Sequence, residues 1–200
     1  MAERLLHGRP AAPGLAIGPL VRLLQATVDT GAHGPPQQEH ARLDRAMAEA
    51  GAELEGLATA DGELGAEILA FQVELLGDPS LIEPARAVIE QGAGAAAAWR
   101  AALEAQIQEY EAAEDDYFQA RASDLRDLME RVLSHLGTPV TGAVALPAGA
   151  IVLDSDLTPS RFLAMDWTRL GGAALEAGSP SSHVAMLARA RGVPPHCPAP

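Results

Sequence analysis

Apolar residues follow a helical period through the middle of the chain. From residue 38 to residue 136 they recur at steps of three and four, and glycine-containing breaks interrupt the pattern near residues 77, 92 and 137. This period is typical of amphipathic helices, and the short breaks predict antiparallel helices packed as a bundle over residues 37–137. Asp78 followed by Pro79 predicts an N-cap and a first helical residue, so one helix begins there.

The regions on either side of the helices have a different pattern. Residues 15–21 (LAIGPLV), 150–153 (AIVL) and 170–176 (LGGAALE) predict short strands. Helices are predicted from 157 to about 165 and from 182 to 191, where Gly192 is the left-handed cap and Pro194 lies beyond it. Strands that alternate with helices predict an α/β unit, built from residues 1–24 and 140–200 together.

The last residues of the chain are rich in proline. Residues 195–200 read PHCPAP, with three prolines in six positions. Proline cannot donate a hydrogen bond to a neighbouring strand, so these residues are not expected to form a central strand. We therefore expect the C-terminal strands of the α/β domain to be truncated or replaced.

Composition and charge exclude several classes of partner. The formal net charge is −13, which argues against binding to nucleic acid or anionic lipid. It suits a basic protein partner, and the alternative is that the charge serves only solubility. No apolar run is long enough for a membrane span, and no secretory signal is recognised, so a cytoplasmic protein without membrane insertion is predicted. The single cysteine, Cys197, has only His196 beside it, which argues against both a disulfide and a zinc site.

The segment that carries candidate chemistry is residues 178–189, GSPSSHVAMLAR. A loop of small residues precedes a helix, which Ser181 or Ser182 can cap, and His183 then lies in the first turn. The start of a helix carries a partial positive charge and free N–H donors, so it suits a phosphate group. That position favours a neutral, nucleophilic imidazole and later stabilises a phosphoryl group bound to it.

Neighbouring side chains can complete this site. Ser181 and Ser182 can donate hydrogen bonds to phosphoryl oxygens, and Arg189 or Arg191 can add positive charge. No histidine, cysteine or carboxylate follows His183 at the spacing of metal ligands, so no metal is expected here. The alternative reading is a histidine that packs on, or caps, an ordinary helix.

Several segments resemble one enzyme family. Residues 176–189 resemble the G-G-x-[ST]-S-H-x-A-[IM]-x-A-R motif of phosphoenolpyruvate-utilising enzymes, which contains the phosphorylated histidine of Enzyme I of the sugar phosphotransferase system. Pyruvate phosphate dikinase and phosphoenolpyruvate synthase share that motif. Four further segments are similar to Enzyme I itself and occur in the same order: 11–18 (AAPGLAIG), 71–81 (FQVELLGDPSL), 115–127 (DDYFQARASDLRD) and 154–160 (DSDLTPS).

The resemblance implies a fold and a reaction. It implies a swivelling α/β phosphohistidine domain with an inserted antiparallel helical bundle that docks HPr, the small phosphocarrier protein. Phosphoenolpyruvate would phosphorylate His183, which would pass the phosphoryl group to HPr. Arg126 matches a bundle arginine associated with HPr docking; the alternative is a solvated charge on a helix surface. Gln72 lies near a position where many Enzyme I proteins carry histidine, which implies a variant HPr partner.

The same resemblance implies that parts of the reaction lie outside this chain. Phosphoenolpyruvate and Mg²⁺ would bind a C-terminal barrel domain that the chain lacks, so no cofactor is expected within it. Ser179 replaces the second glycine of the motif, as in Enzyme I-like modules of multi-domain phosphotransferases, including those that feed dihydroxyacetone kinase. Two alternatives are the central histidine domain of a dikinase or phosphoenolpyruvate synthase, and a non-catalytic helical docking module.

Overall fold

The chain forms two compact units. The α/β unit consists of Met1–Leu24, Ala143–Leu157 and Ala164–Pro200, and the helical unit consists of Gln25–Gly142 and Thr158–Leu163. A computed structural model describes residues 8–23, 33–60, 63–113, 116–137, 146–176 and 182–198.

The helical unit contains six helices among its described residues. These are α1 (Pro36–Ala60), α2 (Glu63–Leu76), α3 (Pro79–Glu90), α4 (Ala95–Glu111), α5 (Asp116–His135) and the short α6 (Pro159–Leu163). Large apolar side chains that face inward hold them together, including Leu43, Leu54, Leu69, Trp99, Leu103 and Leu128. These residues come from the positions whose spacing of three and four predicted the helices.

Local signals explain where individual helices begin. The backbone N–H of Ser80 donates to Asp78 Oδ1 at 2.8 Å, and Pro79 is the first residue of α3, as predicted. Helix α4 has Gly94 at its N-cap position, which offers no side chain. Glu39 of α1 replaces that cap, because its Oε2 accepts the N–H of Ala95 at 2.8 Å.

Glu39 is buried and fully engaged. Its carboxylate also accepts the N–H of Gly34 at 2.9 Å and two bonds from Arg42 at 3.0 and 3.1 Å. Burial by itself would raise the pKa of Glu39, but the hydrogen bonds from Ala95, Gly34 and Arg42 outweigh it and leave the pKa lowered. The carboxylate therefore connects the start of α1 to the start of α4.

The α/β unit is built on a five-stranded sheet. Its elements are β1 (Gly8–Pro10), β2 (Leu20–Arg22), β3 (Ile151–Asp154), β4 (Gly172–Leu175), α7 (His183–Arg191) and β5 (Pro195–Pro198). The strand order is β1-β5-β4-β3-β2; the pairs β2–β3, β3–β4 and β4–β5 are parallel, and β1 is antiparallel to β5. Helix α7 ends at Gly192 in the left-handed conformation (φ 67°, ψ 23°), as predicted.

The expectation that the proline-rich segment cannot form a central strand is wrong. Strand β5 lies between β1 and β4, where Arg9 pairs with Cys197 and Ala174 pairs with His196. Its two prolines are the first and last of its four residues, so the two residues between them keep their backbone N–H groups. A strand this short tolerates proline at both ends.

Two boundaries also differ from the prediction. The strand predicted over residues 15–21 is limited to β2, because Pro19 lacks an N–H; Leu15 and Ile17 are 88% and 89% exposed. Residues 158–163, assigned to the α/β domain from the sequence, belong to the helical unit, because Ser160 is hydrogen-bonded to Asp127 of α5.

Candidate functional site

His183 is the first residue of α7. Ser182 is the N-cap, and its Oγ accepts the backbone N–H of Ala185 at 3.2 Å. This confirms Ser182 as a capping residue, whereas Ser181 lies outside the described residues. Buried Val184 and Leu187 fix the helix in its unit, and His183 itself is half-buried.

The chain order places this helix start at one edge of the sheet. Helix α7 follows β4 and precedes the parallel strand β5, so it begins on the side where the parallel strands end. Crevices at the carboxyl ends of parallel strands are common ligand sites. Arg22 ends β2, buried Asp154 ends β3, and Glu176 follows β4 and forms an ion pair with Arg22.

The two arginines of α7 lie at its other end. Arg189 is six residues beyond His183, about 9 Å along the helix axis. Its Nη1 donates to the carbonyl oxygen of Ala11 at 2.8 Å, which ties the end of α7 to the loop after β1. Arg191 is the last residue of the helix. The structure thus gives Arg189 a packing role, and its contact with a phosphoryl group stays a prediction.

The predicted partner-binding residues have different environments in the helical unit. Arg126 of α5 forms an ion pair with Glu111 of α4, and its side chain is 30% exposed. Gln72 of α2 is fully buried and donates from Nε2 to Asp127 Oδ2 at 3.0 Å. Because a buried amide cannot touch a protein partner, the prediction for Gln72 is corrected: its side chain supports the interior.

Sequence reasoning missed a surface cleft in the helical unit. Phe71, Tyr110, Phe118 and Arg121 line a cleft of about 320 Å³. The Arg121 guanidinium lies 3.6 Å from the centroid of the Phe71 ring, and the Tyr110 and Phe118 rings are 5.6 Å apart. The chain has only seven aromatic residues, and three of them line this cleft. Attention to where these few residues lie on the predicted helices could have pointed to it.

The described parts of the chain hold no group of three or more histidine, cysteine, aspartate or glutamate side chains suited to a metal ion. Within the same residues, no helix combines the length and apolar character needed to span a membrane.

Comparison with known proteins identifies the family. The model for the N-terminal domain of PEP-utilising enzymes matches residues 7–121, and the model for their mobile domain matches residues 146–195. The chain belongs to the PEP-utilising enzymes. Within the mobile domain of this family, residues 182 and 183 are the capping serine and the first helical residue described above.

Individual relatives narrow the resemblance to Enzyme I and its multi-domain versions. The chain is 37% identical over 198 residues to the multiphosphoryl transfer protein of Rhodobacter capsulatus, matching 96% of this chain and 24% of that protein. It is 32% identical over 202 residues to phosphoenolpyruvate-protein phosphotransferase of Geobacillus stearothermophilus, matching 96% of this chain and 35% of that protein. The chain thus spans about a quarter of the first relative and about a third of the second.

A solved structure supports the same assignment. The N-terminal domain of Enzyme 1 - Nitrogen matches with a TM-score of 0.65 and 28% identity, covering 96% of this chain and 83% of that one. The resemblance to the Enzyme I N-terminal region, stated from sequence motifs, is confirmed.

Proposed function

We propose that the chain is the phosphohistidine-carrying part of a phosphoenolpyruvate-dependent protein phosphotransferase. In this proposal the α/β unit is a swivelling domain that carries His183, and the helices inserted between β2 and β3 form an antiparallel bundle that docks an HPr-type carrier. The observation that carries the proposal is His183 at the start of a serine-capped helix, in the segment that matches the mobile domain.

The geometry suits a nucleophile that is later a leaving group. The lone pair of the His183 Nε2 attacks phosphorus, an N–P bond forms, and the donor's P–O bond breaks with its electron pair leaving on the donor oxygen. In the second step a histidine nitrogen of the carrier attacks phosphorus and the bond to His183 breaks. The partial positive charge and free N–H groups at the start of α7 stabilise the phosphoryl group once it is bound to His183.

In this proposal the helical unit supplies the docking surface for the carrier. The cleft of Phe71, Tyr110, Phe118 and Arg121 combines aromatic rings with a cation, which are the side chains that dominate binding energy at protein interfaces. Arg126 is partly exposed on the same helix as Phe118 and Arg121. The net charge of −13 suits a basic carrier surface.

The donor half of the reaction is assigned to a domain outside this chain. We propose that phosphoenolpyruvate and Mg²⁺ bind there, since the chain spans only 24% and 35% of the length of two relatives. No metal-dependent step is therefore assigned to His183, and the chain alone is expected to exchange phosphate with a carrier rather than to consume phosphoenolpyruvate.

The test is transfer of labelled phosphate from phosphorylated HPr to the purified chain. We expect acid-labile label on the wild type and none on His183→Gln. The matched control is His135→Gln, which removes a partly exposed histidine of the helical unit and is expected to retain the label. Label that persists on His183→Gln would refute the assignment.

The second candidate is a docking module without catalysis, which the aromatic cleft alone would also explain. It predicts HPr binding to wild type and to His183→Gln equally, with label on neither. The third reading, a dikinase histidine domain, is disfavoured because the Enzyme I-type relatives align over 96% of the chain, helices included.

A further inference from the structure

Three distant segments meet at the carboxylate of Asp127. Its Oδ2 accepts the side-chain N–H of Gln72 at 3.0 Å and the backbone N–H of Ser160 at 2.8 Å, and its Oδ1 accepts the Ser160 hydroxyl. All three residues are almost completely buried. Gln72, Asp127 and Ser160 belong to segments 71–81, 115–127 and 154–160, three of the segments that resemble Enzyme I. The sequence alone assigned no role to Asp127 or Ser160.

The Asp127 carboxylate replaces the cap that α6 lacks. A helix of five residues has little stability of its own, and its first N–H groups need acceptors. Thr158 precedes α6, where a threonine hydroxyl commonly accepts one of these groups. Here Thr158 Oγ1 is buried and has no hydrogen-bond partner among the described residues, while Asp127 accepts the N–H of Ser160. Helix α6 is therefore capped from α5.

A second residue of α5 completes this arrangement. Arg131, one helical turn after Asp127, donates from Nη2 to the Ser160 hydroxyl and from Nη1 to Glu53 of α1. The Ser160 hydroxyl thus donates its proton to Asp127 and accepts a hydrogen bond from Arg131 with one lone pair. Because the Asp127 carboxylate accepts three hydrogen bonds, its burial is compensated.

Helix α6 lies between two segments of the α/β unit in the chain. Both ends of residues 158–163 continue directly into the α/β unit, at 157 and at 164. We propose that Asp127 is a positioning residue for phosphoryl transfer: by fixing α6 to the helices, it fixes two points where the chain passes to the unit that carries His183. This inference rests on the proposed function, and Asp127 touches no substrate in it.

The experiment compares wild type with Asp127→Asn in the full chain. Asparagine keeps the shape but loses the charge and presents an NH₂ group in place of one acceptor oxygen. By hydrogen–deuterium exchange, the amides of residues 158–163 should exchange on the order of tenfold faster, as expected for loss of a charge-assisted hydrogen bond. Phosphate transfer from HPr should fall at saturating HPr, while the half-saturating HPr concentration stays the same.

Asp44→Asn is the matched control, since it removes an exposed carboxylate of the same unit that pairs with Arg86 of α3. It should change neither exchange in α6 nor transfer. If Asp127→Asn fails to fold, Ser160→Ala removes only the hydroxyl bonds and gives the same test with a smaller effect.

The outcomes separate this inference from the proposed function. Unchanged exchange in α6, or faster exchange with unchanged transfer, would overturn the positioning role. A wild-type chain that accepts no phosphate would instead refute the proposed function, and the exchange data would then still decide whether Asp127 anchors α6.

Discussion

The two units of the chain are stabilised in different ways. Among the described residues, ten of the twelve largest fully buried side chains belong to the helical unit, and only Leu157 and Leu187 belong to the α/β unit. The buried apolar residues of the α/β unit are mostly alanine and valine, and they lie on strands, on helix α7 and in loops. The helical unit also contains buried carboxylates, Glu39 and Asp127, each with several donors.

This difference predicts that the helical unit is more rigid than the α/β unit. Large side chains and satisfied buried charges favour one rigid arrangement, which suits the carrier-docking surface proposed above. A thin core of small side chains contributes less burial free energy per residue, so the α/β unit should open more easily. Each unit contains one of the chain's two tryptophans, Trp99 in the helices and Trp167 in the α/β unit, so single-tryptophan variants can follow each unit separately.

The largest effect is expected in the helical core. Trp99 is fully buried, so Trp99→Ala removes a large packed side chain and should lower the free energy of unfolding of the helical unit by about 4 kcal/mol. Urea unfolding followed by far-ultraviolet circular dichroism measures this change. A loss below about 1 kcal/mol would mean that the helices do not depend on this core.

A smaller loss is expected in the α/β unit. Leu187 of α7 is buried, and Leu187→Ala should cost about 3 kcal/mol. In a background where Trp99 is replaced by Phe, the remaining Trp167 should report the lower unfolding midpoint. The complementary background, with Trp167 replaced by Phe, should show a nearly unchanged Trp99 signal. An equal shift of both signals would show that the two units unfold together.

The smallest of the three effects depends on pH. Glu39→Gln should destabilise the helical unit by about 2 kcal/mol at neutral pH, because it removes an ionised acceptor for Ala95, Gly34 and Arg42. Since the folded state lowers the pKa of Glu39, its contribution is fully present above the unfolded-state pKa. It is lost as the pH falls through the folded-state pKa, so wild type and variant should converge in acid.

The control for this prediction is Glu55→Gln, an exposed change on the same helix that should stay within about 0.5 kcal/mol of wild type at every pH. A wild-type advantage that persists unchanged at low pH would contradict the role given to the Glu39 carboxylate.

The sequence predicted features that depend on local chemistry. The cap at Asp78, the capping serine before His183 and the left-handed Gly192 follow from neighbouring residues and occur as expected. Strand β5 was missed because proline argues locally against a strand, whereas two partner strands from distant parts of the chain define it. The burial of Gln72 and the role of Asp127 were missed for the same reason, since each depends on a residue more than thirty positions away.

The pairing of the strands also bears on how the protein is synthesised. Strand β2 can pair with β3 only after helices α1–α5 have been synthesised. Strand β1 can pair with β5 only when nearly two hundred further residues have been added. The helices α1–α5 are contiguous in the chain, so a ribosome releases almost their entire unit before the sheet can close. Local contacts form faster than distant ones. The helices would therefore fold during synthesis, while β1 and β2 stay unpaired and open to binding by chaperones or other chains.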